Sequence, residues 1–282
     1  MEYGKPVFEL IQQRKSCRSY ARGKTDPAVL KSLRLYIDGV NAQSPRGIRF
    51  ALIGGNIKDA PQPLKLGTYG IITGAEHFLA GAMKKESNEE PQFGYLFEKI
   101  VLRATDLGLG TCWLGGTFSR SDFGKSLELE ENEFIPIVSP AGVKSERTRI
   151  LDKVMRAGAG SDKRKPWNEL FFENGVSSPL TEAAAGEYKT PLEAVRLAPS
   201  ASNKQPWRII KEGGAFAFFL CRTKGYGIAA YDMQKNDIGI AMCHFELTAA
   251  EVGLQGFWSS EATAATPPDG WEFVSAWHCR PE

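Results

Sequence analysis

The ten residues from 198 to 207 restrict the backbone more than any other stretch of this 282-residue chain. They read APSASNKQPW, and each proline fixes its own φ and pushes the residue before it towards extended geometry. Between the prolines lie small polar residues, which bond to the backbone in turns or present donors outward. Trp207 then opens an apolar run that predicts a strand. The segment is therefore either an ordinary loop or a rigid polar turn that can hold a planar polar ligand.

Charge and cysteine content limit the partners of this chain. Lys and Arg number 35 against 33 Asp and Glu, so no general affinity for nucleic acid follows and any anion site must be local. The five cysteines are scattered without a Cys-x-x-Cys pair, which is typical of a reduced protein. No signal peptide is evident, and the longest apolar runs fall far below the ~20 residues of a membrane-spanning helix. We therefore expect a cytoplasmic protein without nucleic-acid or membrane partners.

A basic cluster lies near the N-terminus, at the end of a helix predicted for Pro6–Gln13. Residues 14 to 20 read RKSCRSY, with three cations and two serine hydroxyls in seven positions. Arginine offers a planar fork that suits phosphate or a carbonyl-rich ring edge, and serine adds a donor. The segment is therefore either a local anion site or a solvated helix end whose cations favour the negative end of the helix dipole.

A glycine-rich segment follows the helix predicted for Phe93–Leu107. Residues 108 to 116 read GLGTCWLGG. Nucleotide-binding glycines lie between a strand and a following helix, whereas these glycines follow a helix, precede a strand and lack a Gly-Lys-Ser/Thr sequence. The dinucleotide-binding motif and the P-loop are therefore both excluded. A glycine helix cap that leads into a buried strand is the direct interpretation.

Hydrophobic periodicity and turn residues predict the other elements. Residues 173 to 189 are rich in Ser, Ala, Glu, Gly and Pro and lack this periodicity, so they are predicted to form a linker or a surface excursion. The predicted helices are Asp26–Val40, Ala75–Lys84, Pro191–Leu197 and Asp237–Leu254, and the predicted strands are Ile48–Ile53, Tyr69–Thr73, Phe134–Val138, Trp207–Ile210 and Phe216–Leu220.

Three of these segments resemble signatures of the FMN-dependent nitroreductase family. Residues 198–207 are similar to its Ala-Pro-Ser-Ala-x-Asn-x-Gln-Pro-Trp turn, residues 14–20 to its Arg-Arg-Ser-x-Arg-x-Phe motif, and residues 108–113 to its Gly-Leu-Gly-Thr-x-Trp segment. In the family the turn lies early in the chain, whereas here it lies past residue 190. The sequence at 139–142 also departs from the family's Gly-Tyr-Pro, so the resemblance does not define the substrate pocket.

The resemblance implies a set of cofactor contacts. Arg14 and Ser16 would hold the FMN phosphate and ribityl chain, with Lys15 beside them. Arg18 would lie at the N1/O2 edge of the ring, where a fixed cation stabilises the reduced flavin. Arg164, in a second basic cluster, would reach the phosphate. The further contacts implied are the backbone amides around Thr111, Cys112 and Trp113, although the Cys112 side chain is better interpreted as a small buried hydrophobe, and the turn residues Ser200, Ser202, Asn203 and Gln205.

The second half of the chain repeats features of the first. Residues 33–43 match residues 195–205 at a single offset, and residues 106–113 match residues 251–258 at another. These two ordered matches indicate an internal duplication. We predict a first nitroreductase-like half at residues 1–172 with the basic motif, a linker at 173–189, and a second, shorter half at 190–282 with the turn. In the first half the turn is degraded, and only Asn41 and Gln43 remain of it.

The resemblance also implies how the halves combine. Nitroreductases are usually twofold dimers with FMN at the interface, held by the basic motif of one subunit and the turn of the other, so two equal sites form. Here only the first half has the basic motif and only the second has the intact turn. We therefore expect a fused pseudo-dimer that is monomeric, with one FMN and a decayed second site. The expected fold is α/β (an α+β three-layer, nitroreductase-like fold), with two similar mixed-sheet halves flanked by helices and related by a pseudo-twofold.

The implied function is that of an FMN-dependent oxidoreductase. NADH or NADPH would reduce the flavin in a ping-pong cycle, and a small-molecule electron acceptor such as a nitroaromatic or a quinone would reoxidise it. The flavin would carry this chemistry, so no side chain is assigned as catalytic. The alternative is a non-catalytic FMN-binding carrier or sensor. No metal is expected, because the adjacent pairs at 243–244 and 278–279 lack the ligand spacing of zinc sites.

Overall fold

The computed structural model describes most of the chain, which falls into two compact units. The described residues are 3–54, 68–85, 87–146, 158, 160, 163–227, 231–262 and 267–280. The first unit consists of Met1–Lys5, Gln12–Glu89 and Leu96–Gly158, and the second consists of Pro6–Ile11, Glu90–Tyr95 and Ala159–Glu282. The last segment of the second unit thus begins at Ala159, before the linker predicted for residues 173–189.

The first unit is built on an antiparallel sheet with strand order β1-β2-β5-β3. β1 (Ile48–Gly54) and β2 (His77–Lys84) pair along the whole length of β1. β5 (Val138–Gly142) pairs with the opposite edge of β2, and β3 (Gly110–Thr111) pairs with β5. β4 (Glu133–Phe134) extends the sheet by pairing with the end of β2.

One helix of the N-terminal part of the chain, α2 (Pro27–Gln43), begins at clear local sequence signals. α2 starts after Asp26, whose carboxylate accepts from the Ala28 N–H at 2.7 Å, and a proline occupies its first position. None of the described helices is long and apolar enough to cross a membrane. The helices described in this part of the chain are α1 (Val7–Gln13), α2 (Pro27–Gln43), α3 (Glu90–Asp106) and α4 (Arg120–Leu127).

The structure has a strand, β2, where the sequence pattern predicts a helix over Ala75–Lys84. Every residue from Phe78 to Met83 is buried, so both faces of the strand are covered and no alternation of apolar and polar residues marks it. A short apolar run of this kind does not distinguish a buried strand from a buried helix. The prediction of a helix here is therefore wrong because the pattern that would identify a strand is absent.

Two strand predictions in this unit also need correction. Tyr69–Thr73 forms a turn and bends rather than a strand, apart from an isolated bridge between Thr73 and Ser19. The strand predicted for Phe134–Val138 is divided between β4 and β5. Pro136 lies in the gap, where a residue without an N–H interrupts the hydrogen-bond ladder.

The second unit is built on a mixed sheet with strand order β6-β7-β8-β10-β9. β6 (Phe171–Glu173) pairs in parallel with β7 (Trp207–Glu212), and the other pairings are antiparallel. The order β7-β8-β10-β9 repeats the order β1-β2-β5-β3 of the first unit, with a long helix after the second strand in each. The remaining elements are β8 (Ala215–Cys221), β9 (Gly256–Ser259), β10 (Trp271–Cys279), α5 (Glu182–Ala185), α6 (Lys189–Leu197) and α7 (Met233–Glu251).

Residues 173–189 contain more structure than the predicted linker. They include the last residue of β6, the whole of α5 and a 3₁₀ helix at Gly186–Tyr188. Leu180 is buried, and its carbonyl accepts from the Trp167 indole at 2.6 Å. Because β6 is hydrogen-bonded to β7, the segment that precedes the linker belongs to the sheet of the second unit.

Two glycines set the packing of α7 in the second unit. A Cβ at Gly239 would lie 1.8 Å from the Pro91 carbonyl oxygen, and a Cβ at Gly94 would lie 2.1 Å from the Asn236 carbonyl oxygen. The backbones of α7 and of the first turns of α3 are therefore in direct contact, which requires a residue without a Cβ on each side. The part of α7 around this crossing, residues 236–241, is buried.

Candidate functional site

The basic segment and the glycine-rich segment lie side by side in the first unit. The Cys17 N–H donates to the Thr111 carbonyl at 2.8 Å, and Ser16 and Thr111 form an isolated parallel bridge. A Cβ at Gly110 would lie 2.9 Å from the Cys17 sulfur and 2.8 Å from a Lys144 carbon, so this approach requires glycine. We call the adjoining residues the N-terminal cluster: Arg14, Lys15, Ser16, Arg18, Thr111, Cys112 and Trp113.

Arg14 is the member of the N-terminal cluster that points most directly to a ligand. The residue is 8% exposed, and its Nε lies 3.8 Å from an oxygen of Glu98, which is fully buried. Neither Nε nor Nη1 makes a hydrogen bond within the described part of the chain. Because buried donors in proteins are nearly always paired, these nitrogens indicate the place of an acceptor, such as an oxygen of an anion.

The other polar members of the N-terminal cluster add donors around Arg14. Lys15 and Ser16 are exposed, and Arg18 is half-buried. The Nε of Arg18 and the Oγ1 of Thr111 are buried and have no hydrogen-bond partner among the described residues. The cluster thus combines cations, hydroxyls and unsatisfied donors, which is the chemistry of an anion site.

Cys112 and Trp113 are held inside the first unit. Burial raises the pKa of the Cys112 thiol, against the opposing effects of the Arg18 charge and of a hydrogen bond from Ser16, and the residue is 1% exposed. This confirms the interpretation of its side chain as a small buried hydrophobe. The Cys112 N–H donates to Ser139 Oγ at 2.9 Å, so this amide already has a protein acceptor. The Trp113 indole donates to Glu98 at 2.9 Å.

The segment 198–207, which we call the serine–asparagine turn, lies in the second unit and has an unusual backbone. Ser202, Asn203 and Gln205 have φ values of 46°, 55° and 50°. This left-handed region costs a residue with a Cβ roughly 1–2 kcal/mol. Three such residues within four positions persist only where the surrounding contacts enforce them.

The side chains of the serine–asparagine turn are used mainly within the second unit. Asn203 Oδ1 accepts from Arg164 at 3.0 Å, and its Nδ2 donates to the carbonyls of Gly160 and Lys163 at 2.7 and 2.8 Å. Gln205 Oε1 accepts from the Lys165 N–H at 2.8 Å. These two amides were expected to contact the cofactor, whereas the structure directs them to residues 160 and 163–165.

The two serines of the serine–asparagine turn differ in exposure. Ser200 Oγ accepts from the Gln205 N–H at 2.9 Å and so closes the turn. Ser202 is exposed, and its hydroxyl accepts from Tyr226 at 3.0 Å. Of the turn residues predicted from the sequence, Ser202 is therefore the one whose side chain faces solvent.

Asp237 supports the serine–asparagine turn, and the sequence analysis assigned it no role beyond the start of a helix. Both of its carboxylate oxygens accept from the Ala201 N–H, at 3.2 and 3.0 Å. Burial raises its pKa well above the ordinary value, and the Asp232 charge acts in the same direction, whereas the bond from Ala201 opposes them. An acid in the interior of an apolar helix was the signal that could have identified it.

We expect Asp237→Asn to change how stability depends on pH. Because the folded protein holds a proton on Asp237 that the unfolded chain releases above its ordinary pKa of 3.8, this group stabilises the fold at low pH. That contribution is lost as the pH rises towards the folded pKa. Asparagine keeps an acceptor for Ala201 and does not titrate. The free energy of unfolding of the variant, relative to the unmodified protein, should rise by up to about 1.4 kcal/mol per pH unit in this window.

Urea unfolding of the Asp237 variant from about pH 4 to pH 8 measures this difference. Asp26→Asn is the control, because aspartate and asparagine cap a helix equally well at the exposed start of α2. A difference between Asp237→Asn and the unmodified protein that stays constant across the range would contradict the assignment of a buried proton to Asp237.

The region of the first unit that matches the serine–asparagine turn in sequence contains no such turn. α2 continues to Gln43, through the positions where the second half has its turn. The Asn41 carboxamide accepts from the Phe50 N–H at 2.8 Å and donates to the Phe50 carbonyl at 2.9 Å. Asn41 thus pairs with the backbone of β1 in the way that a neighbouring strand would.

The metal-like pairs of the sequence do not converge in the structure. His244 is fully buried, and its Nδ1 lies 3.0 Å from the Ala194 carbonyl oxygen. In the described part of the chain, no group of three or more His, Cys, Asp or Glu residues could hold a metal ion.

One solved structure that covers nearly all of this chain shares its fold. A crystal structure described as a "putative nitroreductase" from Thermotoga maritima superposes with a TM-score of 0.60 at 20% identity, over 99% of this chain and 96% of that chain. A nitroreductase family protein from Clostridium novyi NT gives 0.39 at 20% identity, over 53% of this chain and 92% of that one. An FMN-dependent nitroreductase from Clostridium difficile R20291 gives 0.38 at 17% identity, over 50% and 88%.

The sequence itself matches a family model, although the separate comparison with curated proteins finds no match. The model of the family described as "Putative TM nitroreductase" matches residues 6–249, which is most of the chain and includes both the N-terminal cluster and the serine–asparagine turn. The chain therefore belongs to this nitroreductase family.

Proposed function

We propose that this protein is an FMN-dependent oxidoreductase that takes electrons from NADH or NADPH and reduces a small acceptor such as a nitroaromatic or a quinone. Family membership supports the oxidoreductase class. The observation that carries the cofactor assignment is the buried Arg14 guanidinium, whose Nε and Nη1 have no hydrogen-bond partner among the described residues. FMN has a phosphate that matches these donors in charge and in hydrogen bonding.

The N-terminal cluster fits the polar end of FMN. Arg14 is held inside the unit by the Glu98 charge, so its fork does not need to be ordered when a phosphate binds. Ser16 is exposed beside it, and its hydroxyl, which bonds to Cys112, can rotate to donate to a phosphate instead. Lys15 adds a flexible cation. We assign phosphate binding to Arg14 and Ser16, with Lys15 as a supporting charge.

Arg18 would act on the ring rather than on the phosphate. When bound, FMN supplies the hydride and electron transfer. Arg18 is half-buried, and its backbone is held in place because its carbonyl accepts from the Thr73 N–H at 2.9 Å. A cation in such a place stabilises negative charge without reorganisation.

We also propose that the chain is an internally duplicated, fused pseudo-dimer that binds one FMN and is monomeric. The repeated strand order of the two sheets supports the duplication. The single site follows from the unequal halves, because the first unit has the basic motif and has helix in place of the turn. Flavin content per purified chain tests this proposal, and a ratio of two would contradict it.

Arg14→Gln is expected to weaken FMN binding by about 10- to 100-fold, the usual loss for a charge-assisted hydrogen bond. Titration of the apoprotein, followed by quenching of flavin fluorescence, measures the dissociation constant. Arg34→Gln is the matched control, because it removes the same charge from an exposed position of α2. Equal dissociation constants for the two variants would contradict the assignment of Arg14.

Turnover separates the enzyme from a flavin carrier. We expect NADH or NADPH oxidation that depends on an added acceptor, with menadione and a nitroaromatic compound as probes, and that falls in Arg14→Gln in proportion to flavin loss. Bound flavin without turnover would contradict the enzymatic part of the proposal and favour a carrier or sensor. A protein that binds no FMN would contradict the whole proposal.

A further inference from the structure

We infer that Arg164 is a positioning residue, which holds the serine–asparagine turn in its strained conformation, and that it is not a ligand of the cofactor phosphate. The inference rests on the proposed function where it concerns flavin affinity. It proposes a role different from the phosphate contact that the family resemblance implies for Arg164, and it is carried by contacts that lie wholly within the second unit.

The Arg164 guanidinium joins three acceptors of the second unit. Its Nη1 donates to Asn203 Oδ1 at 3.0 Å and to the Lys163 carbonyl at 3.1 Å, and its Nη2 donates to the Leu197 carbonyl at 3.2 Å. Leu197 is the last residue of α6, where the helix dipole favours a cation. The guanidinium therefore connects the end of α6 to the side chain of Asn203.

These contacts engage the Nη1 end of the Arg164 fork. An arginine amino group has two hydrogens, and both hydrogens of Nη1 already have acceptors. A bidentate grip on phosphate through Nη1 and Nη2 would therefore break one of the bonds that Nη1 makes to Asn203 and to the Lys163 carbonyl. Arg14 differs at Nη1, which has no hydrogen-bond acceptor among the described residues.

The serine–asparagine turn needs this support. Ser202, Asn203 and Gln205 are all in the left-handed region, and such strain persists only where neighbouring contacts over-determine it. Arg164 donates to the side-chain oxygen of Asn203, and the side-chain nitrogen of Asn203 donates to the carbonyls of Gly160 and Lys163. The Asn203 side chain is thus held at both ends. Removing Arg164 should release the centre of the turn first.

Comparison of FMN with riboflavin, which lacks the phosphate, separates positioning from phosphate binding. In Arg164→Gln we expect the affinities for FMN and riboflavin to fall by the same factor, about 10-fold, so that their ratio is unchanged. In Arg14→Gln the ratio should collapse, because only FMN loses a contact. A collapse of the ratio in Arg164→Gln would overturn the inference.

Arg164→Lys tests whether the fork or the charge matters. One ammonium group does not reproduce the planar fork that spans Asn203 and Leu197, so we expect the lysine variant to behave like Arg164→Gln. Asn203→Ala should have a similar effect, and the double variant with Arg164→Gln should add little, because both remove the same bond. Full recovery of flavin affinity with lysine would overturn the inference.

Hydrogen exchange gives a readout that does not depend on flavin. In Arg164→Gln the backbone amides of Asn203, Lys204 and Gln205 should exchange at least about 10-fold faster, because the opened form of the turn becomes more populated. Arg196→Gln, at a half-buried arginine of α6 that donates to Glu193, is the comparison variant, and we expect a smaller change in these amides. Unchanged exchange in Arg164→Gln would overturn the inference, whether or not the protein binds flavin. Absence of flavin binding is a different result, and it contradicts the proposed function rather than this inference.

Discussion

Gly239→Ala is expected to destabilise the protein by about 3 kcal/mol, at the upper end of the usual cost of overpacking. The added Cβ would lie 1.8 Å from the Pro91 carbonyl oxygen and 2.8 Å from the Tyr95 nitrogen. Both atoms are backbone, so no side chain can rotate away. Relief requires α7 and the first turns of α3 to separate, which would expose residues of α7 that are now buried.

Urea unfolding followed by circular dichroism measures this change. Gly39→Ala is the matched control, because Gly39 lies within α2 and a Cβ there would meet no atom within 4 Å. Alanine is a better helix former than glycine, so the control should gain about 0.5–1 kcal/mol. A Gly239→Ala protein that gained stability like the control would show that the helices do not cross in backbone contact.

Glu98→Gln is expected to cost about 3 kcal/mol of unfolding free energy, since it leaves the buried Arg14 guanidinium without its counter-charge. The side chains of Arg14 and Glu98 are 6% and 0% exposed. Glutamine can still accept a hydrogen bond from the Trp113 indole, so the loss reports mainly on the charge. If a phosphate binds Arg14, saturating FMN should recover part of this loss, because a ligand that binds only the folded state stabilises it.

Glu246→Gln is the matched control for the Glu98 variant. Glu246 also accepts from a tryptophan indole, that of Trp258, at 2.6 Å, but its second donor is the neutral hydroxyl of Tyr95. We expect this control to lose about 1 kcal/mol, the difference between a charged and a neutral acceptor. The double variant Arg14→Gln with Glu98→Gln should be more stable than Glu98→Gln alone. Equal losses for the Glu98 and Glu246 variants would contradict a buried ion pair at Arg14.

The sequence predicted the elements that have local signals. α2 has an aspartate cap and a proline at its start, and its buried stripe of Leu33, Ile37 and Val40 recurs at the helical period. β2 has no such signal, because six consecutive residues are buried and burial on both faces removes the period of two. The pairing of β6 with β7 joins distant segments, so composition placed the linker where the structure has part of a sheet and short helices.

For the candidate site, the sequence identified the segments and the structure identified the contacts. The motif at residues 14–18 and the glycines at 108–110 are recognisable by residue type, and their adjacency depends on the pairing of Ser16 with Thr111. Glu98 carried no sequence signal, because an acid on a helix is normally solvated. Its role as the partner of Arg14 follows only from burial.

The sequence by itself determined which residues supply charge and to which family the motifs are similar, because both depend on residue type at short spacing. Tertiary structure decided what each side chain contacts. Asn203 and Arg164 have the residue types of ligand contacts, and they bind each other at 3.0 Å, because the fold brings residues separated by 39 positions together. Arg14 has the same type as Arg164, and its Nη1 distinguishes it: the Nη1 of Arg14 is buried without an acceptor in the described part of the chain, whereas the Nη1 of Arg164 has two.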